Sequence, residues 1–175
     1  MPDCAVLATE AKNGDMDAFS RLYSAVYRDM YRYAFYYLGN RPDAEDAVMQ
    51  TVCEALASIA GLREEQAFKG WVFTILSRVC KRSIRAKSLA GSTVDWEELP
   101  DLAAPEDRAL GEALELRQRL AALSFEERSI VLLSAVAGYN SAEIGAMLKK
   151  PAGTVRSRLS RALAKLRNQM PEDRP

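Results

Sequence analysis

The longest unbroken helical periodicity lies near the start of the chain. From Met16 to Leu38 the residues Phe19, Leu22, Tyr23, Val26, Tyr27, Met30, Tyr31, Ala34 and Leu38 recur at threes and fours, the spacing that lines one helix face. Gly39 is a natural terminator, and Asn40, Pro42 and Asp43 supply turn and capping chemistry for the next helix. That helix carries Ala47, Val48, Thr51, Val52, Ala55, Leu56 and Ile59 on its inner side and Asp46, Met49, Gln50, Cys53 and Glu54 on the other. Gly61 and the polar Arg63, Glu64, Glu65 and Gln66 read as a loop. Phe68, Trp71, Val72, Ile75, Leu76 and Val79 then predict a third helix. Along it Arg78, Lys81, Arg82 and Arg85 stand at i, i+3, i+4 and i+7, so the cations share one outer surface.

The periodicity lapses from Ser88 to Ala104, where Gly91, Ser92, Thr93 and Pro100 accompany Asp95, Glu97, Glu98 and Asp101, and this stretch reads as an acidic linker. Helical signal resumes after Pro105, with Glu106 and Asp107 at the positive end of the helix dipole and Leu110, Ala113, Leu114 and Leu120 on the apolar side. Ser124 and Glu127 have the spacing of a capping box for a helix from Phe125 to Ala137 that stops at Gly138. Asn140 and Glu143 repeat that spacing ahead of Ile144, Met147 and Leu148. Lys149, Lys150 and Pro151 interrupt, and a new stripe of Val155, Leu159, Leu163 and Leu166 begins. Two helices joined by a tight turn result, the second carrying Arg156, Arg158, Arg161 and Lys165 away from much of its apolar stripe. The expected fold is all-α: two small helical bundles, residues 1–87 and 105–175, joined by the acidic linker 88–104. Each bundle is expected to have its own core and to turn a cationic ridge outward.

Composition narrows the function. Lys plus Arg and Asp plus Glu both number 24, so the net charge is zero, and the basic segments stand out only locally. Cys4, Cys53 and Cys80 are scattered and there is no histidine, which argues against a structural metal and any other cofactor. No glycine-rich phosphate loop or nucleophile with a base partner is present, and capping explains Asp43, Glu45 and Asp46, so catalysis is not expected. Asp3, Glu10 and Lys12 interrupt the N-terminal residues, and no apolar run approaches the roughly 20 residues that span a bilayer, so no membrane insertion and a cytoplasmic location are expected. Trp71 and most of Tyr23, Tyr27, Tyr31, Tyr33, Tyr36 and Tyr37 read as packing residues rather than as a stacking platform.

The two blocks resemble regions 2 and 4 of the extracytoplasmic-function (ECF) group of bacterial sigma factors. In the first, the resemblance rests on Phe19, Leu22 and Tyr23, on Leu38-Gly39, on Asp43-Ala44-Glu45-Asp46 with Val48, and on Phe68-Lys69-Gly70-Trp71-Val72-Phe73 before a basic tail. In the second it rests on Glu126-Glu127-Arg128, Ile130 to Leu133, Gly138-Tyr139, Glu143-Ile144 and Gly153 to Leu159. The resemblance implies a sigma factor that directs RNA polymerase core enzyme to promoters, helps to melt them and is restrained by an anti-sigma factor. It assigns Asp43, Asp46, Gln50 and Glu54 to polymerase. Lys69, Arg78, Lys81, Arg82 and Arg85 would engage the −10 element, and Thr154, Arg156, Ser157, Arg158, Arg161 and Lys165 the −35 element of promoter DNA. Met49 and Gln50 stand where the family usually has Gln-Glu, and Lys149 and Lys150 replace a customary Gly and aliphatic residue. The loss of an acidic residue leaves a sigma-like decoy that sequesters an anti-sigma partner as one alternative. A duplex-binding regulator using only the C-terminal helix-turn-helix is another.

Overall fold

The computed structural model describes residues 4–91, 116 and 118–168, and the described residues form helices, turns and no strand. The linker residues 92–104 and the helical signal at 105–115 lie outside them. In chain order the helices are α1 (Cys4–Lys12), α2 (Met16–Leu38), α3 (Arg41–Ser58), α4 (Phe68–Leu89), α5 (Phe125–Ala135), α6 (Ser141–Leu148) and α7 (Ala152–Asn168). Two short 3-10 turns, Ile59–Gly61 and Glu65–Ala67, occupy the α3–α4 loop, and residues 118–121 are helical ahead of α5.

Local chemistry sets most of these boundaries. Asp15 opens α2 by accepting from the amides of Asp17 and Ala18, and Gly39, at φ 87°, closes it by donating to the Phe35 carbonyl. Asn40 caps α3 through the Asp43 amide. Both expected capping boxes form: Ser124 with Glu127 on α5, and Asn140 with Glu143 on α6.

Helices α1 to α4 make the first bundle. α2 packs on α1, α3 and α4, burying Phe19, Leu22, Val26, Met30 and Leu38 along its inner stripe. Periodicity does not announce α1, whose buried side, Leu7, Ala8 and Ala11, is short and made mostly of small residues. It leans on the α3–α4 loop, where Lys12 Nζ meets Glu65 Oε1 at 2.5 Å and holds that carboxyl below its usual range. In the second bundle α5 and α6 pack on α7. On α7 the buried partner of Val155 is Ala162, while Leu163 is exposed, which corrects the expected stripe. Positions 155, 159, 162 and 166 follow the 3.6-residue period more closely than a set through 163. Tyr27 and Leu56 are likewise exposed despite their places in the expected stripes.

The larger departure is between the bundles. They are not separate bodies on a tether: α5 packs on α2, α6 packs on α4, and the buried apolar residues of both halves form one continuous cluster. The cause is the C-terminal half of α2. Tyr33, Phe35 and Tyr37 lie off its inner stripe yet are 0%, 1% and 3% exposed, so this part of the helix is apolar on every side and needs a second cover. α5 contributes to that cover, with the Phe125 ring 6.3 Å from that of Tyr37.

Candidate nucleic-acid interface

Three surfaces carry the residues singled out above. The first is the outer face of α3. Asp46 and Gln50 are exposed, Glu54 is half-buried, and the Gln50 amide donates to Glu54 at 3.2 Å. Beside this polar row Met49 is 61% exposed and Leu56 39%, with exposed Cys53 between them, giving an apolar stripe at i, i+4 and i+7. An apolar stripe flanked by acidic groups is the composition of a protein-docking face rather than a nucleic-acid one. Leu56 belongs to it although periodicity assigned it to the core. Asp43 is more enclosed: it accepts from Asn40 Nδ2 at 2.6 Å and pairs with Lys87 at the far end of α4.

The second surface is α4. Arg78, Lys81, Arg82 and Arg85 are all exposed. Arg82 pairs with Glu54, which links this ridge to the α3 face. Lys69, at the helix start, is 3.2 Å from Asp29 and lies over the Phe73 ring. Lys81 and Arg85 turn toward the second bundle and line a cleft of about 340 Å³ with Tyr37, Ile84, Phe125 and Glu126. Trp71 is half-buried beside Phe68, in keeping with a packing role.

The third surface is the α6–α7 pair. The turn between them is set by two residues. Lys149 sits in the left-handed region at φ 55°, and a Cβ on Gly145 would stand 2.6 Å from the Lys150 carbonyl oxygen. The pair is a helix-turn-helix in which α7 presents exposed Arg156, Ser157, Arg161 and Lys165, with Thr154 and Arg158 partly covered. Ser157 donates to the Thr154 carbonyl, and Arg161 Nε to the Ser157 carbonyl, so both side chains lie along the helix. Lys165 pairs with Glu127 at 2.6 Å. Glu126 accepts both Lys150, at 2.6 Å, and Arg158. Burial works to raise the Glu126 carboxyl, and its two cationic partners outweigh that and bring it below the usual range. Several cations expected to stand free are thus held by carboxylates of the chain itself. Sequence spacing could not show this, because each partner lies on another helix.

The family described as Sigma-70 region 2 matches residues 22–89, and Sigma-70, region 4 matches residues 113–166. The chain belongs to the sigma-70 family, in its ECF group. The ECF RNA polymerase sigma factor SigL of Mycobacterium tuberculosis is 32% identical, over 82% of this chain and 83% of that protein. SigW of Bacillus subtilis is 27% identical, over 92% of this chain and 93% of its own length. Among solved structures, CnrH in complex with the cytosolic domain of CnrY has a TM-score of 0.75 at 22% identity, covering 94% of this chain and 95% of that one. RpoE in complex with the anti-sigma factor NepR, from Bartonella quintana, has a TM-score of 0.72 at 24% identity, covering 89% of this chain and 98% of that one. At these identities the two structures speak for the fold. Sigma factors regulate transcription, and among the described residues no helix is long and apolar enough to cross a membrane and no side-chain cluster could hold a metal ion.

Proposed function

We propose that this chain recruits RNA polymerase core enzyme to its promoters in the cytoplasm, using α3 for the enzyme and the two basic helices for DNA. The bundles, in this reading, are the working domains expected from the sequence. Asp46, Gln50 and Glu54, with Met49 and Leu56 beside them, form the polymerase contact, and Asp43 holds the start of that helix. Arg78, Lys81, Arg82 and Arg85, with Lys69, track the −10 strand. A single strand needs a cationic groove along its phosphates, whereas a duplex major groove admits one helix with cations at its flanks. The latter role falls to Thr154, Arg156, Ser157, Arg158, Arg161 and Lys165 on α7. No residue is assigned a bond-making step, and opening of the duplex draws on binding energy alone. An anti-sigma protein is the regulator, a reading supported by RpoE, whose solved structure holds it in complex with the anti-sigma factor NepR.

The observation that carries the reading is the presence in one chain of a helix-turn-helix with an exposed cationic helix and a second cationic helix beside an acidic and apolar face. A decoy has no use for the exposed Arg78, Lys81, Arg85, Arg156 and Arg161. The test is transcription in vitro with purified core polymerase and fragments of the native genome. The chain should direct specific starts, and a Met49→Glu/Leu56→Glu variant should lose core binding while keeping duplex affinity. Binding of an anti-sigma protein with no affinity for core would overturn the proposal in favour of the decoy.

A further inference from the structure

The cleft beside α4 differs in its lining from the three surfaces above. Its floor is apolar, made by the rings of Tyr37 and Phe125 with Ile84 and Leu148 beside them. Phe125 is the telling residue. Its ring meets that of Tyr37 at 6.3 Å and the Arg128 guanidinium at 5.3 Å, yet the residue is 44% exposed. An open aromatic ring forgoes part of the stabilisation that burial would bring. The polar groups of the floor need no occupant: Ser77 and Ser129 engage the buried Tyr33 hydroxyl at 3.3 and 2.8 Å, and each other at 3.3 Å.

The rim carries charge. Lys81 and Arg85 come from α4 and Lys150 from the α6–α7 turn, against one carboxylate, Glu126. That carboxylate is held by Lys150 at 2.6 Å and by Arg158, so its charge is already neutralised. Lys81 and Arg85 are exposed, and among the described residues neither has a carboxylate partner. Arg82, the next residue after Lys81, pairs with Glu54 instead. The rim is therefore positive through two uncompensated side chains, both on one edge of an apolar floor.

A strand tracking the α4 ridge accounts for these cations but leaves Phe125, Ile84 and Leu148 bare. A compact ion with an apolar body accounts for both. At about 340 Å³ the cleft lies near the lower end of the range of small-molecule sites, about 300–1,000 Å³, which are apolar inside with a few convergent polar groups. The two cations select a negative head, which they hold through charge-assisted hydrogen bonds, and the two rings select a flat aromatic body. We propose that this cleft binds a small aromatic carboxylate, its ring against Phe125 and Tyr37 and its carboxylate on Lys81 and Arg85. The ligand occupies two of the cations assigned above to the −10 strand, so ligand and strand compete. The competition rests on the proposed function, whereas the site itself does not.

The probe is 2-naphthoate, with 2-naphthamide as its uncharged counterpart, each titrated into the full-length protein by calorimetry. The carboxylate should bind one to one with a dissociation constant below about 1 mM, at least about tenfold tighter than the amide. Lys81→Gln/Arg85→Gln alters only exposed side chains, so it should keep the melting temperature and abolish that preference. Glu126→Gln removes the one negative group of the rim and should tighten the carboxylate at least about twofold. Absence of saturable heat, equal affinity for both probes, or a preference that survives Lys81→Gln/Arg85→Gln overturns the site. Saturating 2-naphthoate should also weaken the binding of a labelled oligothymidine strand at least about fivefold, and a strand affinity that does not move overturns the competition. A chain that binds 2-naphthoate but neither holds the strand nor initiates transcription keeps the site and loses the proposed function.

Discussion

Arg128 is a charge placed where charges are costly, and the carbonyls and the ring around it offset that cost. Its Nε donates to the Leu120 carbonyl at 2.9 Å and its terminal nitrogens to the carbonyls of Leu123, Ala121 and Tyr37, with the Phe125 ring beneath the guanidinium. The planar fork of arginine suits several acceptors at once, which a lysine ammonium cannot match. Burial pulls this guanidinium below its ordinary pKa, yet it stays charged at any physiological pH. Arg128→Met strands those carbonyls, each worth about 1–3 kcal/mol when buried without a donor. Urea unfolding should register a loss of about 2–4 kcal/mol, and a change below about 0.5 kcal/mol would refute the anchoring role. In the sequence Arg128 was visible only as part of a motif, because its partners lie on the preceding segment and on α2.

At the scale of the element, the helix-turn-helix is held by a bend that its sequence does not favour. A non-glycine residue in the left-handed region costs about 1–2 kcal/mol, and Lys149 accepts that conformation while Gly145 leaves room for the returning Lys150 carbonyl. Lys149→Gly should therefore raise stability by roughly 1 kcal/mol, whereas Gly145→Ala should destabilise by a similar amount or more. Thermal melts of the two variants should shift in opposite directions, and a shift of the same sign in both would contradict this account of the turn. The helices themselves were largely legible: caps such as Ser124 with Glu127 act within three residues, so the sequence displays both partners together. What escaped were features needing a second element. Tyr33 and Tyr37 read as packing residues and are buried, but what they pack against was hidden, because α5, which helps cover them, lies some ninety residues away. The polymerase-side stripe was half seen, since Leu56 fits the inner periodicity equally well until the helix is placed. The grouping of cations on α4 and α7 was readable, and their pairing with Glu54, Glu126 and Glu127 was not.

For the whole molecule, the docked interface is a store of un-ionised phenols. Burial drives the hydroxyl pKa values of Tyr33, Tyr37 and Tyr139 well above 10, helped at Tyr33 and Tyr37 by the Cys80 sulfur and at Tyr139 by Glu143 and Asp29. A raised phenol pKa means that the contribution to docking is complete below the ordinary value of about 10. It falls as pH climbs past that point, because only the separated or unfolded chain can release the protons. Between labels placed on the two bundles the distance should hold from pH 6 to about pH 9 and increase above about 10, together with tyrosinate absorbance. Phenols that titrate at 10 with no change in label distance would show the interface to be open already.

Glu126 gives the molecule a behaviour toward salt that a tally of its basic residues misses. A lysine or arginine already neutralised by a carboxylate of its own chain gains less from a phosphate, since the exchange liberates a small ion from the duplex but leaves Glu126 to recruit another. Affinity of α7 for duplex should thus fall with ionic strength less steeply than Lys150, Arg156, Arg158 and Arg161 together imply, each full phosphate contact being worth about 0.9 in the logarithmic slope. Replacing Glu126 with Gln should tighten binding at low salt and steepen that slope by up to about two units.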